Sequence, residues 1–441
     1  MFENKTDLFT SDFPAYVVDL KKEAIENFRK NGFPTKANEN YRYTDICKLF
    51  QNDFIKFPRE EDYALEIRDI FQCNVPELDT HLILTINGNY FNNNDKSDLP
   101  EGVIIKSMKQ AFNDHPELIK EHFNKYVAGN KDSLTDLNLA YFRDGFFIYI
   151  PENIRPDKAL QIVNILRADE NRVIQQRNLI IAEKNSEFKI IICDHTLSEH
   201  KYLTNNVTEI YTGENAILDI YNIQDEHDMA WKNNQLFIQQ EYNSNFLSHI
   251  ITLHGGIVRN SVFAKLNNQG CTNQTYGIFF ADNEQHIDNY SLIDHNAPNC
   301  NSNELFKGIL DDNATASFSG KILVRKDSQK TEAYQANNNI LLTDDAKINT
   351  KPQLEIYADD VKCSHGATIG QLDKDAMFYL RSRGIDYKEA RMMLMFAFAN
   401  EVINKIRVLP LQDRINDLVE KRLRGELTRC VNCNVKCIKN N

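Results

Sequence analysis

From Gly145 to about Lys362 the chain carries almost no helical periodicity, and this long stretch of short strand signals limits the fold more than any other feature. β-rich runs recur through it: Phe146–Ile150, Gln161–Leu166, Phe188–Cys193, Ala216–Tyr221, Gln235–Gln239, Phe246–Leu253, Lys321–Val324, Ile340–Leu342 and Leu354–Tyr357. Clusters rich in Asn, Asp and Gly stand between them and predict turns at Gly213–Asn215, Asn243–Asn245, Asn267–Gly270, Asp311–Asn313, Asn337–Asn339 and Asp344–Asp345. Asn and Asp tolerate left-handed backbone and bond their own main chain, which suits tight corners. So many short strands overfill a single sandwich, leaving two β domains or a solenoid. Loose self-similarity favours the solenoid. Glu214-Asn215-Ala216, Asp312-Asn313-Ala314 and Asp344-Asp345-Ala346 each open a strand-like run, and the last two lie 32 positions apart. A parallel β-helix with a coil of ~30 residues gives this spacing.

The flanks have a different texture. Val17, Leu20, Ala24 and Phe28 fall at helical spacing before Gly32. A polar, aromatic loop follows at Pro34–Asp45, then a strand-like run at His81–Ile86. Helical spacing returns over 107–142, with Leu118, Ile119, His122, Phe123 and Tyr126 on one face and Pro116 suited to a helix start. Beyond Gly370, Asp373 can cap a helix from Lys374 to Arg383 that Gly384 ends. Tyr387–Arg407 places Ala390, Met393, Leu394, Ala397, Phe398 and Val402 at helical spacing, and Leu411–Arg424 continues after Pro410. The predicted organisation is a helical and mixed region at 1–144, a β-helix core at 145–366, a helical domain at 367–429 and a basic tail at 430–441.

Bulk properties exclude several classes of function. The chain has 441 residues, too many for one compact core, with 42% hydrophobic and 26% charged residues, as in ordinary soluble proteins. Lys and Arg number 51 against 63 Asp and Glu, a net charge of −12, so nucleic acid is not the expected partner. The longest apolar runs resemble Met392–Ala399, far short of the ~20 residues of a membrane span. Met1–Phe13 has no basic stretch before an apolar core, so no secretory signal is expected. The nine cysteines are then expected as reduced thiols in the cytoplasm.

The informative pair is Cys363 and His365. On a strand, residues two apart share a face, which sets a thiol beside an imidazole. Both are ligands for zinc, iron or an iron–sulfur cluster. Two ligands do not close a tetrahedral site, so a site here needs a second chain; the competing reading is a buried Cys and a hydrogen-bonded His at a domain junction. The pairs Asp311-Asp312, Asp344-Asp345 and Asp359-Asp360 could suggest a polysaccharide-cleaving β-helix enzyme, but they lie beside turn signals and read as corners. His249, His254, His286 and His295 lack ligand spacing, and Cys430, Cys433 and Cys437 offer three thiols, not four, in a short basic tail. No nucleophile triad, nucleophile elbow, Walker loop or dinucleotide fingerprint is present, so ATP chemistry would have to come from a partner.

Several phrases in order then carry a resemblance. They are His295-Asn296-Ala297-Pro298-Asn299-Cys300, Lys307-Gly308-Ile309-Leu310, Phe318-Ser319-Gly320-Lys321-Ile322, Gln329-Lys330-Thr331-Glu332-Ala333-Tyr334-Gln335, Pro352-Gln353-Leu354-Glu355-Ile356, Ala358 through Gly370, Gln371-Leu372-Asp373 and Tyr379 through Ile385. Together with the loop at Pro34–Asp45 they resemble the SufB/SufD family of scaffold subunits in the SUF iron–sulfur assembly system. Ser364-His365-Gly366-Ala367 followed by Gly370-Gln371-Leu372-Asp373 looks like the SufD branch, since SufB-like chains tend to have Glu after the His. The resemblance implies a right-handed parallel β-helix between helical flanks. It implies pairing with SufB through the β-helix ends and docking of the SufC ATPase on the C-terminal helices, or else a homodimer without SufB. It also implies that a transient iron–sulfur cluster or its iron is handled at the SufB interface, with His365 as the candidate ligand and Cys363 a lesser one. No tightly bound cofactor is expected on the isolated chain.

Overall fold

Asparagine at the corners sets the architecture. Asn153, Asn185, Asn215, Asn243 and Asn299 all hold positive φ between 54° and 63°, the left-handed region that Asn enters most readily among residues with a side chain. Each turns the chain at the same corner of successive coils. Their side chains stack: Asn185 donates to Asn153 at 2.8 Å, Asn215 to Asn185 at 3.0 Å, and Asn243 to Asn215 at 2.8 Å. Gly270, at φ 79°, takes the corner between Asn243 and Asn299. The computed structural model that shows this describes residues 12–50, 54, 78–91, 99–129, 132–198 and 200–427. The tail with Cys430, Cys433 and Cys437 lies outside the described residues.

Between corners the chain forms strands of about ten residues that alternate between two sheets. Among the described residues one sheet has ten strands and ends on Val361–Gly370, and the other has nine and ends on Lys347–Ile356. Neighbours in each sheet are parallel and in register, apart from short antiparallel pairs at the N-terminal end. Ile257 pairs with His286, His286 with Thr315 and Thr315 with Lys347, steps of 29, 29 and 32 residues. The result is a parallel β-solenoid of about eight turns. Thr80–Ile86 already pairs in parallel with Ala159–Leu166, so the sheets start ahead of the textural change at Gly145.

Strands run longer than hydrophobicity alone suggests because the lumen is partly polar. Asn337–Asn339, predicted as a turn, lies within the strand Thr331–Leu341. Asn337 and Asn339 point inward and are buried. Asn339 donates to Asn337 Oδ1 at 2.7 Å and to the Thr368 carbonyl at 3.3 Å, while Asn337 reaches the Phe306 carbonyl at 3.3 Å. Stacked coils satisfy internal amides that would otherwise favour a turn.

Helices cover the outer faces. The N-terminal ones are α1 (Ala15–Asn31), α2 (Ile46–Phe50), α3 (Met108–Asp114), α4 (Pro116–His122) and α5 (Ser133–Tyr141). They pack Val17, Phe112, Leu134 and Leu137 onto Val173, Leu179, Ile181 and Leu203 of the nine-stranded sheet. Two buried ion pairs fix this docking: Arg177 with Glu209 at 2.7 Å, and Arg259 with Asp288. The loop Pro34–Asp45 lies over the second pair, with Tyr41 under the Arg259 guanidinium and Thr44 donating to Asp288 at 2.5 Å.

At the other end follow α6 (Lys374–Ser382), α7 (Tyr387–Ile403) and α8 (Leu409–Arg424). Asp373 caps α6 by accepting from the Asp375 and Ala376 amides. The α7 and α8 pair buries Met395, Ala399, Val402, Leu411, Ile415 and Val419 against Leu247, Ile251, Ile278 and Ile309 of the ten-stranded sheet. The buried stripe of α7 is Ala390, Met392, Met395, Ala399, Val402 and Ile403, rotated from the spacing read in the sequence, and Met393 is exposed. Nearly every side of this helix is apolar, so hydrophobicity alone does not select its inner face. Lys307 donates to the Phe398 carbonyl at 3.1 Å, Arg407 to Asp219 at 2.8 Å and Arg422 to Asp282 at 2.7 Å. Among the described residues, no helix is long and apolar enough to cross a membrane.

Two outcomes follow from this packing. Asn215→Ala puts an ordinary side chain into left-handed backbone and cuts two ladder bonds, a loss of roughly 2–3 kcal/mol, whereas Asn215→Gly keeps the backbone and loses about 1 kcal/mol. Denaturant melts of both variants check this; equal losses contradict it. His249 is wholly buried, and its Nε2–H donates to the Val402 carbonyl at 3.0 Å. Burial lowers its pKa from 6.5 to about 4. As pH falls through that window the unfolded chain takes up a proton that the native state refuses, so stability falls, by roughly 3 kcal/mol in full. In denaturant melts across that window His249→Gln should show a shallower loss than the wild type; parallel slopes contradict the assignment.

Candidate functional site at the open end of the solenoid

Among the described residues, no strand continues the stack at its C-terminal end. The strands Val361–Gly370 and Lys347–Ile356 each pair with one described strand only. Each leaves a row of backbone donors and acceptors at a sheet edge, the feature that invites strand pairing with another chain. Every residue from Ser364 to Gly370 is exposed, including Ile369 at 49%. Tyr357, at the neighbouring corner, is 63% exposed. Apolar side chains at an unpaired edge mark an interaction surface more strongly than single exposed residues do.

Cys363 and His365 lie on this last strand. They pair in register with Ala333 and Gln335. Ala333 is fully buried and packs with Ile322 and Val324 of the opposite sheet, so this face of the strand looks into the lumen. Cys363 joins the edge of that cluster and is half-buried, and burial pushes its thiol pKa up. His365 stands farther out and is exposed. The shared face expected from their spacing is therefore present, at the mouth of the lumen and not at a sealed junction.

Beneath His365 the lumen is polar. Gln335, 3% exposed, donates from Nε2 to Glu304 Oε2 at 2.5 Å. Glu304 is 1% exposed, and burial pushes its pKa up to about 7. Neither residue was read from the sequence as part of a site. The signal was present in the coil period: 30 positions back from His365 falls on Gln335, and 31 further back on Glu304.

Other candidates separate from this site. Among the described residues no group of three or more His, Cys, Asp or Glu side chains is placed to hold a metal ion. His254 bonds Asp225 at 2.8 Å, His286 bonds Thr44 at 2.9 Å and Thr315 at 2.8 Å, and His295 bonds Ser302 at 2.8 Å. The acidic pairs sit at corners, where Asp311 holds Arg391 at 2.8 Å and Asp312 takes positive φ. A second exposed surface lies on α6, which buries none of its residues; Phe378 on it is 75% exposed, and Tyr379 and Tyr387 are exposed beside it.

The described residues thus form a parallel solenoid with helices on both flanks and a thiol and an imidazole side by side at its C-terminal edge. Family models match most of the chain. The SufBD core domain of SUF-system FeS cluster assembly matches residues 164–398, and the SufBD protein N-terminal region matches residues 1–162. An iron–sulfur cluster assembly SufBD family protein of Synechocystis sp. is 31% identical over 417 residues, covering 92% of this chain and 91% of that one. The iron–sulfur cluster assembly protein SufD of Escherichia coli is 28% identical over 414 residues, 92% of each chain. The chloroplastic protein ABCI7 of Arabidopsis thaliana is 27% identical over 412 residues, 91% of this chain and 85% of its own. The chain belongs to the SufBD family of iron–sulfur cluster assembly proteins and stands close to SufD.

Thiol reactivity tests the geometry. Cys193, Cys271 and Cys300 are buried, while Cys363 is half-buried with a raised pKa. Native-state alkylation followed by peptide mass mapping should label Cys363 well before those three, slowly at neutral pH and faster as pH rises. Labelling of Cys271 or Cys300 at the rate of Cys363 contradicts the placement.

Proposed function

We propose that this chain is a non-catalytic scaffold subunit of a cytoplasmic SUF complex, paired with SufB through the open end of its solenoid and carrying the SufC ATPase on α6–α8. The observation that carries the reading is the pair Cys363 and His365 on the lumen-facing side of the last strand, whose outer edge has no partner among the described residues. A thiolate and an imidazole are good ligands for iron or a nascent cluster, which is cargo here. Two ligands leave an open site, and an opposing SufB edge with a cysteine of its own would complete it. His365, exposed at the mouth of the lumen, is the principal ligand in this reading, and the half-buried Cys363 the lesser one.

The C-terminal helices suit the ATPase role. The exposed aromatics Phe378, Tyr379 and Tyr387 offer contact area on α6 and at the start of α7. Below them, α7 and α8 are tied to the sheet through His249, Lys307, Arg407 and Arg422. Movement imposed by closing ATPase subunits would thus reach the strands, and through them the end of the stack.

Native mass spectrometry of the chain mixed with SufB and SufC should give a complex holding both. A homodimer that persists in the presence of SufB would contradict the pairing. Anaerobic reconstitution of that complex with His365→Ala should lower cluster formation by about tenfold or more, with Cys363→Ser less affected. Unchanged cluster formation in His365→Ala would remove the residue from the site.

A further inference from the structure

Gln335 holds an unsatisfied acceptor directly behind His365. Its Oε1 is buried and meets no donor among the described residues. Its Nε2 is committed to Glu304. At pH above the value of about 7 to which burial pushes Glu304, its carboxylate only accepts, so the pairing turns the amide nitrogen inward and leaves the oxygen as the free end. The register places His365 over Gln335 just as it places Gln335 over Glu304, on one lumen face and one coil apart, a step of ~4.8 Å. The lower step is already bridged by a side-chain hydrogen bond, which shows that this spacing allows one. Gly320 on the opposite sheet keeps the space clear: a Cβ there would stand 2.4 Å from Gln335 Nε2.

We infer that Gln335, oriented by Glu304, is a positioning residue: when the exposed His365 side chain turns inward over it, its free Oε1 accepts a ring N–H and so fixes the tautomer. The other ring nitrogen then presents its lone pair to the mouth of the lumen, where a metal ligand must be unprotonated. The inference rests on the reading of His365 as the ligand at the shared interface. Glu304 and Gln335 touch no cargo; their effect passes through the imidazole. The internal polar column is thus a support for the exposed histidine, built from coils that lie successively deeper in the stack.

The test is nitrogen NMR of the full-length chain with labelled histidine, at a pH well above the value of about 7 to which burial pushes Glu304. The His365 signals are assigned by their loss in His365→Ala. In the wild type the two ring nitrogens should give the widely separated shifts of a single tautomer. Gln335→Met, similar in length but without an acceptor, should bring them together towards the average of a freely exchanging ring. Glu304→Gln, which lets the Gln335 amide turn either way, should do the same in part. Thermal melts monitor folding of each variant. In the reconstituted complex, Gln335→Met should lower cluster formation by about tenfold or more. A freely exchanging His365 in the wild type, or a fixed one in Gln335→Met, overturns the inference. If the tautomer behaves as described while His365→Ala leaves cluster formation intact, the positioning stands and the assignment of His365 to the shared interface fails.

Discussion

In-register stacking of parallel coils is the constraint on which the rest of this structure depends. Each inner strand is held by the coil before it and the coil after it, and the corner asparagines from Asn153 to Asn243 by the same residue one turn away. Such a stack has no natural end. At the N-terminal side, short antiparallel strands end it. At the C-terminal side, the last two strands keep an open edge. The functional reading follows from that asymmetry: the end left open is the end that carries Cys363 and His365.

Stacking also explains why this interior tolerates so many polar groups. In an ordinary core a buried Asn, Gln or Glu needs a partner found by chance of packing. In a solenoid the partner is the residue about thirty positions away, as with Asn178 and Thr208 or Glu304 and Gln335. A polar residue at the last coil has a described neighbouring coil on one side only. His365 is in that position, which is why its outward side is available for other chemistry.

The solenoid was legible because Asn and Asp punctuate it at a regular spacing, and Asn215 and Asp312 do take positive φ at corners. The same rule failed at Asn337–Asn339, where alternating amides satisfy one another inside a strand and no turn forms. The helices were legible from Gly32, Asp373 and Gly384, but the inner face of α7 was not, since apolar residues surround it. The shared face of Cys363 and His365 followed from strand geometry. Gln335 and Glu304 did not, because a site spread across coils is visible in sequence only once the coil length is known residue by residue. The exposure of Tyr357 and Phe378 depends on where the stack and its helical cover stop, which no local pattern records.

The central claim is that the open end is completed by another chain through strand pairing. Backbone hydrogen exchange over Val361–Gly370 tests it most directly, compared between the chain alone and the chain with SufB. Pairing at the edge would slow exchange of the amides in this strand that face away from Thr331–Leu341, while the inner coils keep their rates. Unchanged exchange along the last strand in a complex shown to have formed would contradict the account.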